Sequence, residues 1–112
     1  MEIIKRKVSL EKLQESAKEL FGNLVKAVVD IENGTMAIGG ELHSDEESIL
    51  LQQGSKQKNL WGINIYPFLT GDEMIEFDSI INLRPSNGNL SRYVEDPLIR
   101  EKVRQIVKRL TE

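Results

Sequence analysis

Cysteine is absent from this 112-residue chain. Its absence excludes disulfide bonds, thiolate nucleophiles and cysteine-ligated zinc, so any catalysis must use oxygen, nitrogen or metal–carboxylate chemistry. The chain also lacks an apolar run near the roughly 18 residues that a membrane-spanning helix needs. The segment Met1 to Lys7 has none of the apolar character of a secretory signal. We therefore expect a cytoplasmic protein with no membrane partner.

An excess of positive charge is missing as well. Lysine and arginine total 15 against 18 aspartates and glutamates, which gives a formal charge of -3. Non-specific nucleic-acid binding depends on cations that neutralise phosphates, so this balance argues against it. Arg100, Arg104 and Lys108 recur every four residues, but a solvated helix face explains them without nucleic acid.

Apolar periodicity predicts one α+β domain over residues 1–112, with the order β-α-β-β-α-β-β-α. Ser9 is a predicted helix N-cap, Ser44 and Glu47 form a predicted capping box, and Asp96-Pro97 is typical of a helix start. Alternating apolar and polar residues predict strands near residues 2–7, 25–31, 35–40, 60–66 and 74–84. The expected fold is a mainly antiparallel sheet of about five strands with three helices.

Asn33-Gly34 is the strongest local signal, because both residues tolerate the positive φ angles of a two-residue type I′ hairpin turn. That turn sets a register in which Asp30 lies opposite Ala37 and Lys26 lies opposite Glu41 as an ion pair. One hairpin face is then apolar, formed by Val25, Ala27, Val29, Ile31, Met36 and Ile38. The other face is smaller and more polar.

The polar sheet face is the first candidate site. For the last two strands the predicted pairs are Tyr66 with Met74, Asn64 with Glu76, and Gly62 with Asp78. This register gathers carboxylates and an amide beside small residues that leave room for a ligand. A solvated face, which antiparallel sheets commonly keep, explains the same alternation.

The second candidate is the long polar segment from Arg84 to Glu95. Guanidinium groups match carboxylate or phosphate oxygens, and backbone N–H groups in turns form anion nests. The spacing of a Walker loop is absent, and turn-forming residues chosen for backbone reasons explain the composition equally well. The candidate ligand-binding residues in this segment are Arg84, Ser86, Asn87, Gly88, Asn89 and Arg92.

The only histidine, His43, lies between Glu41 and Asp45 and suggests a metal site completed by Asp78 or Glu76. A bound divalent metal generates a hydroxide nucleophile, so this alternative is a metal-assisted hydrolase. No established ligand spacing is present, and Asp45 is explained by the dipole at a helix start.

Five segments distinguish the chain further: residues 36–43 (MAIGGELH), 54–57 (GSKQ), 60–67 (LWGINIYP), 75–86 (IEFDSIINLRPS) and 94–97 (VEDP). With these segments the whole chain resembles a small prokaryotic family catalogued as domain of unknown function 5674. The resemblance implies a prokaryotic origin and supplies no activity, cofactor or ligand.

The leading hypothesis is a small ligand- or anion-binding module without a cofactor. Its site combines Asn64, Glu76 and Asp78 with the loop after Arg84. Besides the metal-assisted hydrolase with Glu41, His43 and Asp78, a further alternative is a regulatory protein-interaction domain. Such a domain would self-associate through the hairpin edge or through an exposed patch at Trp61 or Phe68.

Overall fold

The computed structural model describes residues 1–111. Its main elements are β1 (Glu2–Ile4), α1 (Leu10–Leu20), β2 (Val25–Asp30), β3 (Thr35–Ile38), α2 (His43–Gln52), β4 (Leu60–Ile65), β5 (Ile75–Glu76) and α3 (Pro97–Leu110). The five strands form one antiparallel sheet in the order β1-β3-β2-β4-β5. The predicted class, element order and antiparallel sheet are confirmed. Within the described residues, no helix combines the length and the apolar character that crossing a bilayer requires.

Helices lie on both faces of the sheet. The apolar stripes of α1 and α3 pack on the predicted apolar face, where Val25, Ala27, Val29, Met36 and Ile38 are buried. On the opposite face Leu50 of α2 packs against Val28, Ala37 and Leu60. On that face α2 contacts mainly β2 and β3, and residues 79–82 pack over Gly62 of β4.

The β2–β3 turn is longer than predicted. Asp30 pairs with Thr35, so four residues form the loop, and a positive φ occurs at Gly34 (68°) but not at Asn33. The cause is the Asp30 carboxylate, which accepts hydrogen bonds from the backbone N–H groups of Glu32 (2.9 Å) and Asn33 (3.0 Å). The type I′ turn and its register were therefore wrong by two residues. A shift of two residues leaves every side chain on its predicted face.

The predicted ion pair between Lys26 and Glu41 does not form among residues 1–111. Lys26 lies opposite Asn64 instead, and its ammonium group lies 4.9 Å from the centre of the Phe21 ring.

The hairpin has no free edge for self-association, since β2 and β3 are both internal strands. Trp61 is only 3% exposed, whereas Phe68 is 48% exposed. Two of the three predicted self-association features, the hairpin edge and Trp61, are thus covered by the fold itself.

The predicted strand over residues 74–84 was wrong beyond Glu76. After Phe77 the chain leaves the sheet and forms a short helical turn at Ile80–Asn82. The Asn82 side chain replaces the missing strand: the Gly62 N–H donates to its Oδ1 (2.8 Å), and its Nδ2 donates to the Gly62 carbonyl (2.9 Å). Phe77 therefore joins the α1/α3 core while Ile81 packs on the α2 side, although their alternation predicted one common face.

Two of the three predicted helix starts are confirmed. Ser9 accepts from the N–H of Lys12 (3.1 Å), and Asp96 accepts from the N–H of Leu98 (2.8 Å). The capping box at Ser44 was wrong, because α2 begins two residues earlier, with Leu42 as its N-cap residue. Leu42 has no oxygen in its side chain and provides no cap, so α2 starts without one.

Candidate functional site

Three polar side chains lie in register across adjacent strands: Lys26 on β2, Asn64 on β4 and Glu76 on β5. We call this set the polar row. The predicted pairing of Asn64 with Glu76 is confirmed, and the Asn64 Nδ2 donates to Glu76 Oε1 at 2.8 Å. The Tyr66 hydroxyl donates to the same oxygen at 3.0 Å. Burial raises the pKa of Tyr66, and its bond to Glu76 raises it further.

Asn64 carries a polar atom whose hydrogen-bonding capacity is unused. The residue is only 8% exposed, and its Nδ2 donates to Glu76 and, at 3.4 Å, to the carbonyl of Asp78. Two acceptors on the nitrogen side fix the orientation of the amide. The buried Oδ1 then has no donor among residues 1–111. Such an atom is uncommon in a folded protein, and burying it unpaired costs free energy that a hydrogen-bond donor would recover.

Asp78 and Arg92 form an ion pair at one side of the polar row. Arg92 Nε lies 2.8 Å from Asp78 Oδ1 and Nη2 lies 3.3 Å from Oδ2, with both side chains about half exposed. The hydrogen bond and charge of Asp78 raise the pKa of Arg92. The predicted pairing of Asp78 with Gly62 was wrong, since the Asn82 side chain bonds to Gly62 and Asp78 bridges to Tyr93.

His43, the first residue of α2, approaches the polar row from above the sheet. Its ring is buried and its Nε2 donates to the Ile63 carbonyl at 2.7 Å. Burial lowers the pKa of His43; the bond to Ile63 opposes this effect, and the charge of Lys26 adds to it. Because Nε2 donates to a carbonyl, it carries the proton of the neutral ring, and Nδ1 is left as an acceptor.

A cleft of about 560 Å³ lies beside the polar row at the open edge of β5. We call it the acidic cleft because its lining residues include four carboxylates, whereas Arg104 supplies the positive charge. Aromatic side chains form much of the rest, and Phe77 and Tyr93 meet edge to face at 6.3 Å. The lining residues are Tyr66, Leu69, Asp72, Glu73, Ile75, Glu76, Phe77, Asp78, Tyr93 and Arg104.

The loop after Arg84 is held by its own polar groups. The Arg84 guanidinium donates to the carbonyls of Gln57 and Leu60 and lies 4.5 Å from the centre of the Trp61 ring. Burial lowers its pKa. Asn89 is buried, and its Nδ2 donates to the carbonyls of residues 82, 91 and 93. Both side chains therefore serve to build the loop.

The predicted binding residues thus fall into two groups. Asn64, Glu76, Asp78 and Arg92 come together at the polar row. Arg84 and Asn89 fix the loop, whose tip exposes Ser86, Asn87 and Gly88. Gly88 has a φ of 78°, as a left-handed turn position requires.

The metal alternative gains no geometric support. Glu41 is exposed at the surface, whereas the Nε2 of His43 is bonded to Ile63. Among residues 1–111 no three histidine, aspartate or glutamate side chains converge as a metal site would require.

Sequence reasoning missed Tyr66, Asp72 and Glu73 as site residues. Tyr66 was detectable, since it continues the alternation of Gly62 and Asn64 on β4. Asp72 and Glu73 belong to the turn before β5, and no local pattern places such a turn beside a cleft.

Residues 2–110 match the family described as "Protein of unknown function (DUF5674)". No curated protein and no solved structure matches the chain.

Proposed function

The chain belongs to the DUF5674 family of proteins of unknown function, and we propose that it is a small-ligand-binding module whose site is the polar row with the acidic cleft. The observation that carries the proposal is the buried Asn64 Oδ1, which has no donor among residues 1–111. Its neighbours are the fixed polar groups of Glu76 and Tyr66. A ligand donor that reaches this oxygen relieves the cost of burying it unpaired.

Acceptors outnumber free donors at the site, and this balance selects the ligand class. Asn64 Oδ1, the His43 Nδ1 and the carboxylates of Glu76 and Asp78 are all hydrogen-bond acceptors. Three cations are near these acceptors: Arg92 is paired with Asp78, the Lys26 ammonium lies over the Phe21 ring, and the Arg104 guanidinium lies over the Phe77 ring. The complementary ligand is therefore a small amine or guanidine.

An anion in the loop after Arg84 is the competing version of the same function. It requires guanidinium groups that are free to bind, but the Arg84 guanidinium is bonded to two backbone carbonyls. Arg92 would then act alone and would have to leave Asp78. For this reason we place the ligand on the polar row and treat anion binding as an outcome of the test.

A thermal-shift comparison distinguishes the two versions. Agmatine, which carries a guanidinium and an amine, is compared with inorganic phosphate for the wild type and for Glu76→Gln. The glutamine keeps an oxygen for Asn64 and Tyr66 but removes the charge. We expect agmatine to raise Tm by several degrees at a tenfold excess over Kd, and the variant to bind about tenfold more weakly.

Glu19→Gln, an exposed change on α1, is the matched control and should bind like the wild type. If phosphate raises Tm and Arg92→Ala abolishes that increase, the ligand of the site is an anion and not an amine. Equal agmatine affinity in all three proteins would remove the polar row from the proposal.

A further inference from the structure

A second cavity, of about 750 Å³, lies between the start of α1, the segment before β5 and the carboxyl-terminal half of α3. We call it the apolar groove. Its apolar lining comes from Leu10, Leu69, Met74, Ile75 and Val107. This volume falls within the roughly 300–1,000 Å³ of typical small-molecule sites. Leu69 is 43% exposed, so the groove presents an apolar wall to solvent.

The charged residues around the apolar groove are mostly cationic, although the whole chain is acidic. Lys7, Arg104 and Lys108 line it together with one carboxylate, Asp72. Arg104 is partly engaged, since its guanidinium lies 5.1 Å from the centre of the Phe77 ring and 3.5 Å from Glu101. Lys7 and Lys108 form no ion pair within residues 1–111.

The fold itself brings these two lysines to one place. The backbone N–H of Val8 donates to the carbonyl of Leu110 at 2.9 Å, and Val8 bridges in parallel to Thr111. The segment before α1 is thereby fixed against the end of α3. Two chain regions separated by about one hundred positions contribute one ammonium group each to the same groove.

We propose that the apolar groove binds a free amphiphilic carboxylate, with the apolar tail among Leu10, Met74 and Val107 and the carboxylate at Lys7 and Lys108. The groove shares Leu69, Asp72, Ile75 and Arg104 with the acidic cleft, but Lys7, Leu10, Val107 and Lys108 line the groove and not the cleft. The inference does not depend on the amine proposed at the polar row. The two ammonium groups, which have no ion-pair partner within residues 1–111, favour an anionic head group, and the apolar lining favours a hydrocarbon tail. Affinity should rise about fourfold for each methylene that the groove buries.

Three probes of equal tail length test the charge and the tail separately. Decanoate, decanol and decylammonium, each below its micelle concentration, are titrated into the full chain while methyl NMR signals are recorded. We expect the methyl signals of Leu10, Met74 and Val107 to shift. Decanoate should bind about tenfold more tightly than decanol, and decylammonium more weakly than both.

The double variant Lys7→Gln/Lys108→Gln should lower decanoate affinity to that of decanol and leave decanol binding unchanged. Lys56→Gln/Lys58→Gln, at exposed positions before β4, is the matched control and should bind all probes like the wild type. Leu69→Asn, at an exposed wall position, should weaken decanoate and decanol together.

Equal affinity for the three probes, or a double variant that binds decanoate like the wild type, would overturn the proposal. Binding to anionic phospholipid vesicles without binding of free decanoate would also overturn it, because the recognised chemistry would then be a membrane surface. A result for agmatine at the polar row changes none of these outcomes.

Discussion

Asn82 is the residue on which the irregular edge of the sheet depends. Its side chain is fully buried, bonds to both backbone groups of Gly62, and donates to the carbonyl of Arg92 at 3.0 Å. A single amide thus supplies the hydrogen bonds that a longer β5 would have made. The position of Arg92 beside Asp78 follows from the same contacts.

Asn82→Ala should lower the free energy of unfolding by about 2–4 kcal/mol, because it leaves buried groups of Gly62 unpaired. Urea denaturation measures the change. Asn87→Ala, an exposed change in the same loop, should stay within about 0.5 kcal/mol of the wild type. A loss at Asn82 no larger than at Asn87 would show that the amide does not replace a strand.

Glu46 makes stability depend on pH. The residue is fully buried, its Oε2 accepts from the Gly40 N–H at 3.0 Å, and burial raises its pKa to about 9. Between its unfolded value of 4.5 and about 9, the folded protein binds a proton that the unfolded chain has lost. The free energy of unfolding should therefore fall as pH rises through this window, by up to about 1 kcal/mol per pH unit.

Glu46→Gln removes this titration, so the variant should become progressively more stable relative to the wild type from pH 5 to pH 9. Denaturation at several pH values checks the trend, with Glu19→Gln as an exposed control. A constant difference between Glu46→Gln and the wild type across this range would mean that Glu46 titrates normally.

At this scale prediction from sequence succeeded where the contact follows from strand alternation, as for Asn64 and Glu76. It gave no indication of the structural role of Arg84, since the carbonyls that bind its guanidinium come from residues 57 and 60. No local pattern connects those positions. A side chain that hydrogen-bonds to the backbone of a distant segment gives the same sequence pattern as one that binds a ligand.

Among the elements, α2 has the weakest start, and that weakness has a simple test. Leu42, its N-cap residue, is 54% exposed and provides no side-chain hydrogen bond. Leu42→Asp should raise the free energy of unfolding by about 0.5–1 kcal/mol by supplying a cap. Ser44→Ala should change it by less than about 0.5 kcal/mol, whereas a true capping box would lose about 1 kcal/mol. Thermal denaturation of the two variants decides between these outcomes.

Element identity was predictable because the amphipathic stripes of α1 and α3 and the strand alternation are strong. Element boundaries were not predictable at positions where side chains form hydrogen bonds with backbone groups. The Asp30 carboxylate also accepts from the Ser55 hydroxyl at 2.6 Å, so the β2–β3 loop is held by a residue that follows α2. The turn preference of Asn33-Gly34 carries no information about that contact.

For the whole molecule, unequal helix coverage explains where the candidate site lies. Two helices pack on one sheet face, while α2, about 15 Å long, covers mainly β2 and β3 on the other. The polar row extends from β2 through β4 to β5, beyond the strands that α2 mainly contacts. The prediction of a polar second face was right only in part, because under α2 that face is an apolar cluster of Val28, Ala37, Leu50 and Leu60. Composition does not give the position of α2.

The most direct measurement of the proposed function is the NMR signal of the Asn64 side-chain amide during titration with agmatine. We expect this signal to shift and saturate together with signals of Tyr66, and Glu76→Gln to move the midpoint to about tenfold higher agmatine. Asn87, exposed at the loop tip, provides the control signal and should not move. An Asn64 amide that stays unchanged at saturating agmatine would contradict ligand binding at the polar row.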